Sequence, residues 1–455
     1  MFGFAEWPAW AHHHRVMWDQ GDVVRILAPS EQRFVRHGTY TGRTVSVIGR
    51  LDIDALRIAF AALRQEYPIL ACRIGIDAAG RGHLLRPSPF GPSGLWAGYG
   101  DPATVRLPAA QLDPGEQLAY LDVVCSSRPR ARVTLFVHHG IADGGFCVEL
   151  FARLWDHYTS WMETGTAHIV RRAYPESPER HLELRGIARG VCSGLERVAH
   201  PLPEGSAAPY PAGSDEGAAE HGETPAENSL VRPRRLLFDR AGTSRIVEQS
   251  RAHRLTVNAL LTAAVLRAYA SVTGPATAPV RLGCLYPVDL RSRLTPPVTV
   301  AAGTNMGGLA AFAADIDESV NLVELAQRVA TVLRDDLADG VVAQSVLHFP
   351  DYFGAGRLHS LAGHIAITNT GVVPALRTPA GLRITDYEIV YLSAHPRPSQ
   401  GASAAVTILS YTFAGRLAVA VLGGPEPGRL LDTIAAELGA PVRWGEPPMA
   451  SSPIG

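Results

Sequence analysis

The sequence predicts an α/β protein of mixed sheets, an α/β sandwich architecture divided into two halves. Three observations carry that expectation. Segments with the two-residue alternation of strands interleave with segments of helical period, but without a regular strand–helix–strand spacing, and no GxGxxG run is present to suggest a dinucleotide-binding fold. At 455 residues the chain is too long for one ordinary core. The stretch 201–228 (PLPEGSAAPYPAGSDEGAAEHGETPAEN) is rich in Pro, Gly, Ala, Ser and Glu and almost lacks large apolar side chains, so it cannot offset its ordering entropy and reads as a mobile linker. The expected division is an N-terminal lobe over 1–200, a flexible linker over 201–228 and a C-terminal lobe over 229–455.

In the first half, Asp52 and Asp54 precede Leu56, Phe60, Leu63 and Tyr67, an apolar stripe at helical spacing with acids in its first turn, and Pro68 stops it. Residues 131–138 alternate as a strand, with Val133, Leu135 and Val137 on one side and Thr134 and Phe136 on the other. After two glycines, 146–162 reads as a helix with Leu150, Leu154 and Tyr158 in one row. In the second half, Thr256 is placed to cap a helix bearing Leu260, Leu261, Val265 and Leu266. Residues 280–286 form a strand expected to end at Pro287, and 321–338 an amphipathic helix through Leu325, Val329, Val332, Leu333 and Leu337. Strands follow over 364–368, 382–392 and 404–412, the last turning through Ala414-Gly415 into 417–422 as a hairpin.

Composition narrows the chemistry. The hydrophobic fraction is 46%, the charged fraction 19% and the net charge −1, which fits a folded protein and points to neither nucleic acid nor an anionic membrane. No apolar run approaches the ~20 residues that span a bilayer. The first fifteen residues lack a basic segment leading into an apolar one, so no secretory signal is expected. The run His12-His13-His14 reads as a loose terminal stretch rather than a metal site. Five scattered cysteines, never spaced as CxxC, fit reduced thiols and a cytoplasmic location. All 42 Lys+Arg positions are arginine. The chain therefore has no lysine for a pyridoxal Schiff base, a phosphate loop or a lysine nucleophile.

The run His138-His139-Gly140-Ile141-Ala142-Asp143-Gly144 carries the chemistry. Strand alternation sends the two histidines to opposite faces, and His139 shares the apolar face of Val133, Leu135 and Val137. An imidazole with an ordinary pKa near 6.5 is suited to accept a proton at neutral pH. A lone strand-end histidine is usually structural; two beside an Asp-Gly weaken that reading without naming a reaction. His, His and Asp are also metal-ligand types, but adjacent strand residues diverge and no HxH or HExxH spacing converges them, so no metal is expected. Asp143 lies too close in sequence to be assumed a triad partner, and a pairing with an arginine that holds the loop is the alternative. Gly144 and Gly145 permit close backbone approach. Cys147, in the apolar helical run CVELF, reads as a structural thiol rather than a nucleophile.

HHGIADG resembles the HHxxxDG signature of the superfamily that includes chloramphenicol acetyltransferase, nonribosomal peptide condensation domains and the plant BAHD acyltransferases. The resemblance is closest to the polyketide-associated acyltransferases of actinobacteria, of the phthiocerol dimycocerosyl transferase type. Residues 51–70, 285–297 (LYPVDLRSRLTPP), 304–308 (TNMGG), 332–349 and 377–382 extend it over most of the chain from residue 28 onward, the linker excluded. It implies two chloramphenicol acetyltransferase-like lobes in a V with a central tunnel, His139 as the catalytic base, and His138 and Asp143 as structural residues. It also implies a salt bridge from Asp143 to an arginine of the other lobe, for which Arg291 is the matching residue. The condensation-domain motif DFGWG is absent from the C-terminal region, which favours a free-standing, ester-forming member.

The expected reaction moves an acyl group from a thioester of coenzyme A, an acyl carrier protein or a polyketide synthase to a lipid or polyketide hydroxyl, with no cofactor. A monomer is expected. Gly144 N–H and Asn305 are candidates for stabilising the oxyanion, and Arg254 and Arg334 for docking an acidic carrier. A condensation-type amide synthase and a non-catalytic carrier- or lipid-binding member are the competing readings.

Overall fold

The computed structural model describes residues 18–35, 38–104, 108, 112–201, 229–274, 278–317, 319–353, 357, 359–393 and 404–439. The expected linker beyond Pro201 and the His12-His13-His14 run lie outside the described residues.

Two six-stranded sheets dominate. The first has the order Leu95–Tyr99, Ala119–Cys125, Arg130–His138, Thr39–Ile48, Arg383–Ser393, Ser229–Val231. The second has the order Arg234–Leu237, Arg416–Leu422, Val406–Phe413, Ile365–Val372, Val280–Asp289, Gly307–Ile316. Arg383–Ser393 belongs to the second half of the sequence yet pairs antiparallel with Thr39–Ile48. That strand stitches the second half of the chain into the first sheet, and no local periodicity marks it for that exchange.

Helices Ile53–Glu66 and Gly144–Thr164 pack on one face of the first sheet. Asp52 caps the former by accepting the Ala55 N–H at 2.9 Å, and the stripe of Leu56, Phe60 and Leu63 meets Leu150, Leu154 and the inward Val133, Leu135 and Val137. Each such side chain contributes about 1.5–3 kcal/mol by burial, so Leu150→Ala would cost about 2–5 kcal/mol. The opposite face carries a smaller aromatic cluster that includes Tyr40, Tyr120 and Phe136. Gly42 is required between these layers, because a Cβ there would stand 2.5 Å from Val390 Cγ2.

On the second sheet, helices Val257–Thr273, Leu322–Ala338 and Pro427–Glu437 supply the core. Thr256 caps the first of these as expected, and Asn321, expected as the first helical residue, is instead the N-cap of Leu322–Ala338. Strand Val280–Asp289 does not end at Pro287. Pairing with Ile365–Val372 is confined to Cys284 and Leu285, so Pro287 lies past it, where a missing N–H is tolerated. The hairpin turn falls at Ala414 and Gly415, with φ of 50° and 75°, and joins Val406–Phe413 to Arg416–Leu422.

Candidate active site

His138 is the last residue of its strand and His139 follows it, its N–H donating to Thr39 O at 2.8 Å. The covering helix Gly144–Thr164 begins just after, so the apolar face of Val133 and Val137 opens at His139 into a cavity of about 720 Å³. Both halves of the chain line it: Phe34, Arg43 and His139 from the first, Pro287, Asn305 and Thr368 from the second.

Two contacts hold the His139 ring and a third holds its main chain. Phe34 stacks on it at 4.2 Å and 14° between planes. Nδ1 lies 3.1 Å from Ala142 O, an acceptor, so Nδ1 carries the proton and Nε2 keeps its lone pair. Asn305 Nδ2 donates to His139 O at 3.1 Å and fixes the main chain from the second half. Burial, then the positive charges of Arg33 and Arg43, lower the His139 pKa to about 4, so the ring is neutral across the physiological range.

His138 turns the other way. It is fully buried, sits edge-on to Tyr40 with ring centroids 5.3 Å apart, and its Nδ1 accepts the Gly140 N–H at 3.2 Å. Burial lowers its pKa to about 3. It shapes the loop and has no access to the cavity wall.

Asp143 is committed to structure. Its Oδ1 caps Gly144–Thr164 by accepting the Phe146 N–H at 2.9 Å. Its Oδ2 accepts from Arg291 Nη1 at 2.6 Å and from Met306 N–H at 2.8 Å. Arg291 is buried, and its Nη2 also donates to Gly303 O at 3.1 Å and Thr304 O at 2.9 Å. The pair therefore ties the signature loop to the 303–306 segment of the other half. Gly144 meets that half closely: a Cβ there would stand 2.7 Å from Thr370 Cγ2.

Cys147 is buried and burial pushes its thiol up to about 11, which leaves it unsuited to attack at neutral pH. Among the described residues no group of three or more His, Cys, Asp or Glu could hold a metal ion. Arg254 and Arg334 are exposed and do not line the cavity; Arg334 donates to Thr331 Oγ1 at 2.9 Å and approaches Asp335 at 3.8 Å.

Sequence reasoning missed Arg33, Phe34 and Arg43. Arg43 had a visible signal, an arginine in register with Val45 and Val47 on the inward face of a strand. The helix Pro29–Val35 that carries Arg33 and Phe34 is one short element whose chemistry emerges only on packing.

Residues 227–422 match the family model described as the phthiocerol/phthiodiolone dimycocerosyl transferase C-terminus. A phthiocerol/phthiodiolone dimycocerosyl transferase of Mycobacterium sp. (strain JLS) is 36% identical over 400 residues, 86% of this chain and 91% of that protein. Its counterpart in Mycobacterium tuberculosis is 32% identical over 424 residues, 92% and 96% of the two chains. Polyketide synthase associated protein 5 from Mycobacterium tuberculosis superposes with a TM-score of 0.74 at 29% identity, covering 92% of this chain and 98% of that one. The first condensation domain of the CDA synthetase shares the fold, with a TM-score of 0.59 at 16% identity over 94% of this chain and 98% of the domain. This chain is an acyltransferase belonging to the phthiocerol/phthiodiolone dimycocerosyl transferase family.

Proposed function

We propose that this enzyme transfers an acyl group from a thioester, on coenzyme A or an acyl carrier protein, to the hydroxyl of a lipid or polyketide alcohol, with His139 as general base. One observation carries the reading: His139 lines the cavity as a neutral ring whose Nδ1–H is tied to Ala142 O, so the free Nε2 lone pair is the basic atom. Nε2 takes the hydroxyl proton as the alcohol oxygen attacks the carbonyl carbon. The C–O bond forms, the tetrahedral oxyanion collapses, the C–S bond breaks, and the same proton passes from Nε2 to the departing sulfur. No covalent acyl-enzyme is required.

The depressed pKa serves the second half of the cycle. A weakly basic imidazole becomes a strongly acidic imidazolium, which readily gives its proton to the thiolate. Oxyanion stabilisation falls to the Gly144 N–H, which opens helix Gly144–Thr164 at the cavity wall, while Asp143 takes the Phe146 and Cys147 N–H groups behind it. Asn305, whose amide donates to the His139 carbonyl, acts as a positioning residue. Donor and acceptor meet at the ring in the cavity between the two halves, and Arg254 and Arg334 guide a carrier-borne donor from outside.

The test is transfer from a panel of acyl thioesters to alcohols and amines, followed by mass spectrometry. Ester formation by the wild type, with kcat reduced about 10²- to 10⁴-fold in His139→Ala, is expected. Near-normal turnover in His139→Ala would reject the base, and faster product formation with amines than with alcohols would reject the ester-forming assignment.

A further inference from the structure

The cavity holds more positive charge than transfer between neutral chains requires. Arg43 is 2% exposed and lines the cavity, yet its Nη1 donates to Thr41 Oγ1 at 2.7 Å and Gly42 O at 3.4 Å and its Nη2 to Gly144 O at 3.4 Å, none of them a carboxylate. Its buried Nε has no partner. Among the described residues that line the cavity, Asp143 is the one carboxylate, and both its oxygens are taken. Arg81, also on the wall, is paired with Asp77 at 2.8 Å. Arg43 is not paired in that way.

Arg33 presents the same anomaly in a different form. Its guanidinium carbon lies 4.5 Å from the centre of the Phe34 ring, 4.6 Å from Phe349 and 5.3 Å from Phe353. Among the described residues it makes no hydrogen bond and no ion pair, and its Nε is buried without a partner. Glu179 supplies negative charge nearby but no hydrogen bond to Arg33, its two oxygens accepting the N–H and hydroxyl of Ser30 at 2.8 Å. Aromatic rings hold a guanidinium by its faces and leave its edge, the fork of N–H donors, for a planar oxyanion. Leaving two such cations unpaired in a cavity is costly unless the ligand brings the counter-charge.

Position restricts that ligand. Phe34 contacts both the Arg33 guanidinium, at 4.5 Å, and the His139 ring, at 4.2 Å, and both guanidiniums are close enough to depress the basicity of that ring. The anion must therefore sit near the reacting atoms. The phosphate of a pantetheine arm is at the far end of the arm from the thioester and does not meet this condition; a carboxylate a few bonds from the reacting centre does.

We propose that Arg33 and Arg43 form a carboxylate-binding subsite beside His139, so that one of the two substrates is an acid: a hydroxy acid as acceptor, or the half-thioester of a dicarboxylic acid as donor. The inference rests on the acyl-transfer reading for the role of the ligand, but the subsite itself is read out by binding, without turnover.

Calorimetric titration of the His139→Ala protein separates the two sources. In the acceptor arm, 3-hydroxydecanoate is compared with its methyl ester; in the donor arm, glutaryl-coenzyme A is compared with pentanoyl-coenzyme A. One acid should bind about ten- to a hundredfold more tightly than its neutral partner, as charge-assisted hydrogen bonds to a carboxylate allow. Arg43→Gln should abolish that preference, Arg33→Gln should reduce it, and Arg43→Lys should restore part of it. Arg33→Gln, at the less buried of the two sites, keeps the test open if Arg43→Gln does not fold. Equal binding of acid and neutral partner in both arms overturns the proposal, as does an acid preference that survives both Gln variants. Acid-selective binding in a wild-type protein that transfers no acyl group would sink the general-base reading and leave the subsite standing.

Discussion

Two adjacent histidines end one strand and enter two different environments. His138 goes to the face with Tyr40 and Phe136, where it is sealed, and His139 goes to the face where the covering helix stops and a cavity begins. Burial lowers both pKa values, to about 3 and about 4. A perturbed pKa therefore does not distinguish the proposed base from the sealed ring; only His139 lines the cavity. The same chemistry acquires a function or a packing role according to where helix Gly144–Thr164 starts, and that start is set by the Asp143 cap.

Exchanging each ring for a neutral amide separates the two environments by the largest effect. His139→Gln should lose about 10²- to 10⁴-fold in kcat with little change in melting temperature. His138→Asn should do the reverse, keeping turnover within about tenfold while destabilising the fold by about 1–3 kcal/mol, because a buried, hydrogen-bonded ring is lost. Equal kinetic losses would show that the two faces are not functionally separate.

Next in size is the tie between the halves. Arg291→Met leaves Asp143 without its buried cation, and thermal or denaturant unfolding should report a loss of about 3–5 kcal/mol. Asn305→Ala removes the donor to the His139 carbonyl and should lower kcat about tenfold, with KM nearly unchanged if it only positions the ring.

The pH profile reports on the environment of His139 without harming the fold. The proposed base must be neutral to accept a proton, so kcat/KM should stay level from neutral pH to about 5 and fall as pH drops through about 4. Arg33→Gln removes a positive charge that opposes protonation, so the acid limb should move upward. A wild-type limb near 6.5 would mean that water, rather than protein, surrounds the ring.

Much of this site was legible because it is local. Thr256 acts as a cap within its own helix, and the spacing of His139, Asp143 and Gly144 is a loop property written in consecutive residues. Pairing Asp143 with Arg291 required the family resemblance, since 148 positions separate them and no pattern links them. The strand exchange of Arg383–Ser393 was invisible because alternation fixes which face a residue takes and says nothing about which neighbour its strand will choose. Phe34 and Arg33 were invisible for a related reason: a seven-residue helix has too short a period to reveal which ring will meet His139.

The smallest effect concerns the outer surface, where Arg254 and Arg334 stand apart from the cavity. Arg254 adopts φ of 56° just after helix Arg240–Ala252, which holds its backbone in the left-handed region and its side chain in solvent. Arg334 is 70% exposed at its side chain and lies beside Asp335, so part of its charge is locally offset. Exposed ion pairs are worth about 0.2–1 kcal/mol each in water. Reversing both charges with Arg254→Glu and Arg334→Glu should therefore raise KM for a carrier-protein donor only severalfold, with kcat retained and a small thioester donor unaffected. The increase should fade as salt is added, because such contacts are screened within about 10 Å at 0.1 M. A KM that rises equally for carrier-borne and small donors would move the effect from docking to folding, and an unchanged KM would remove these two arginines from the carrier's path.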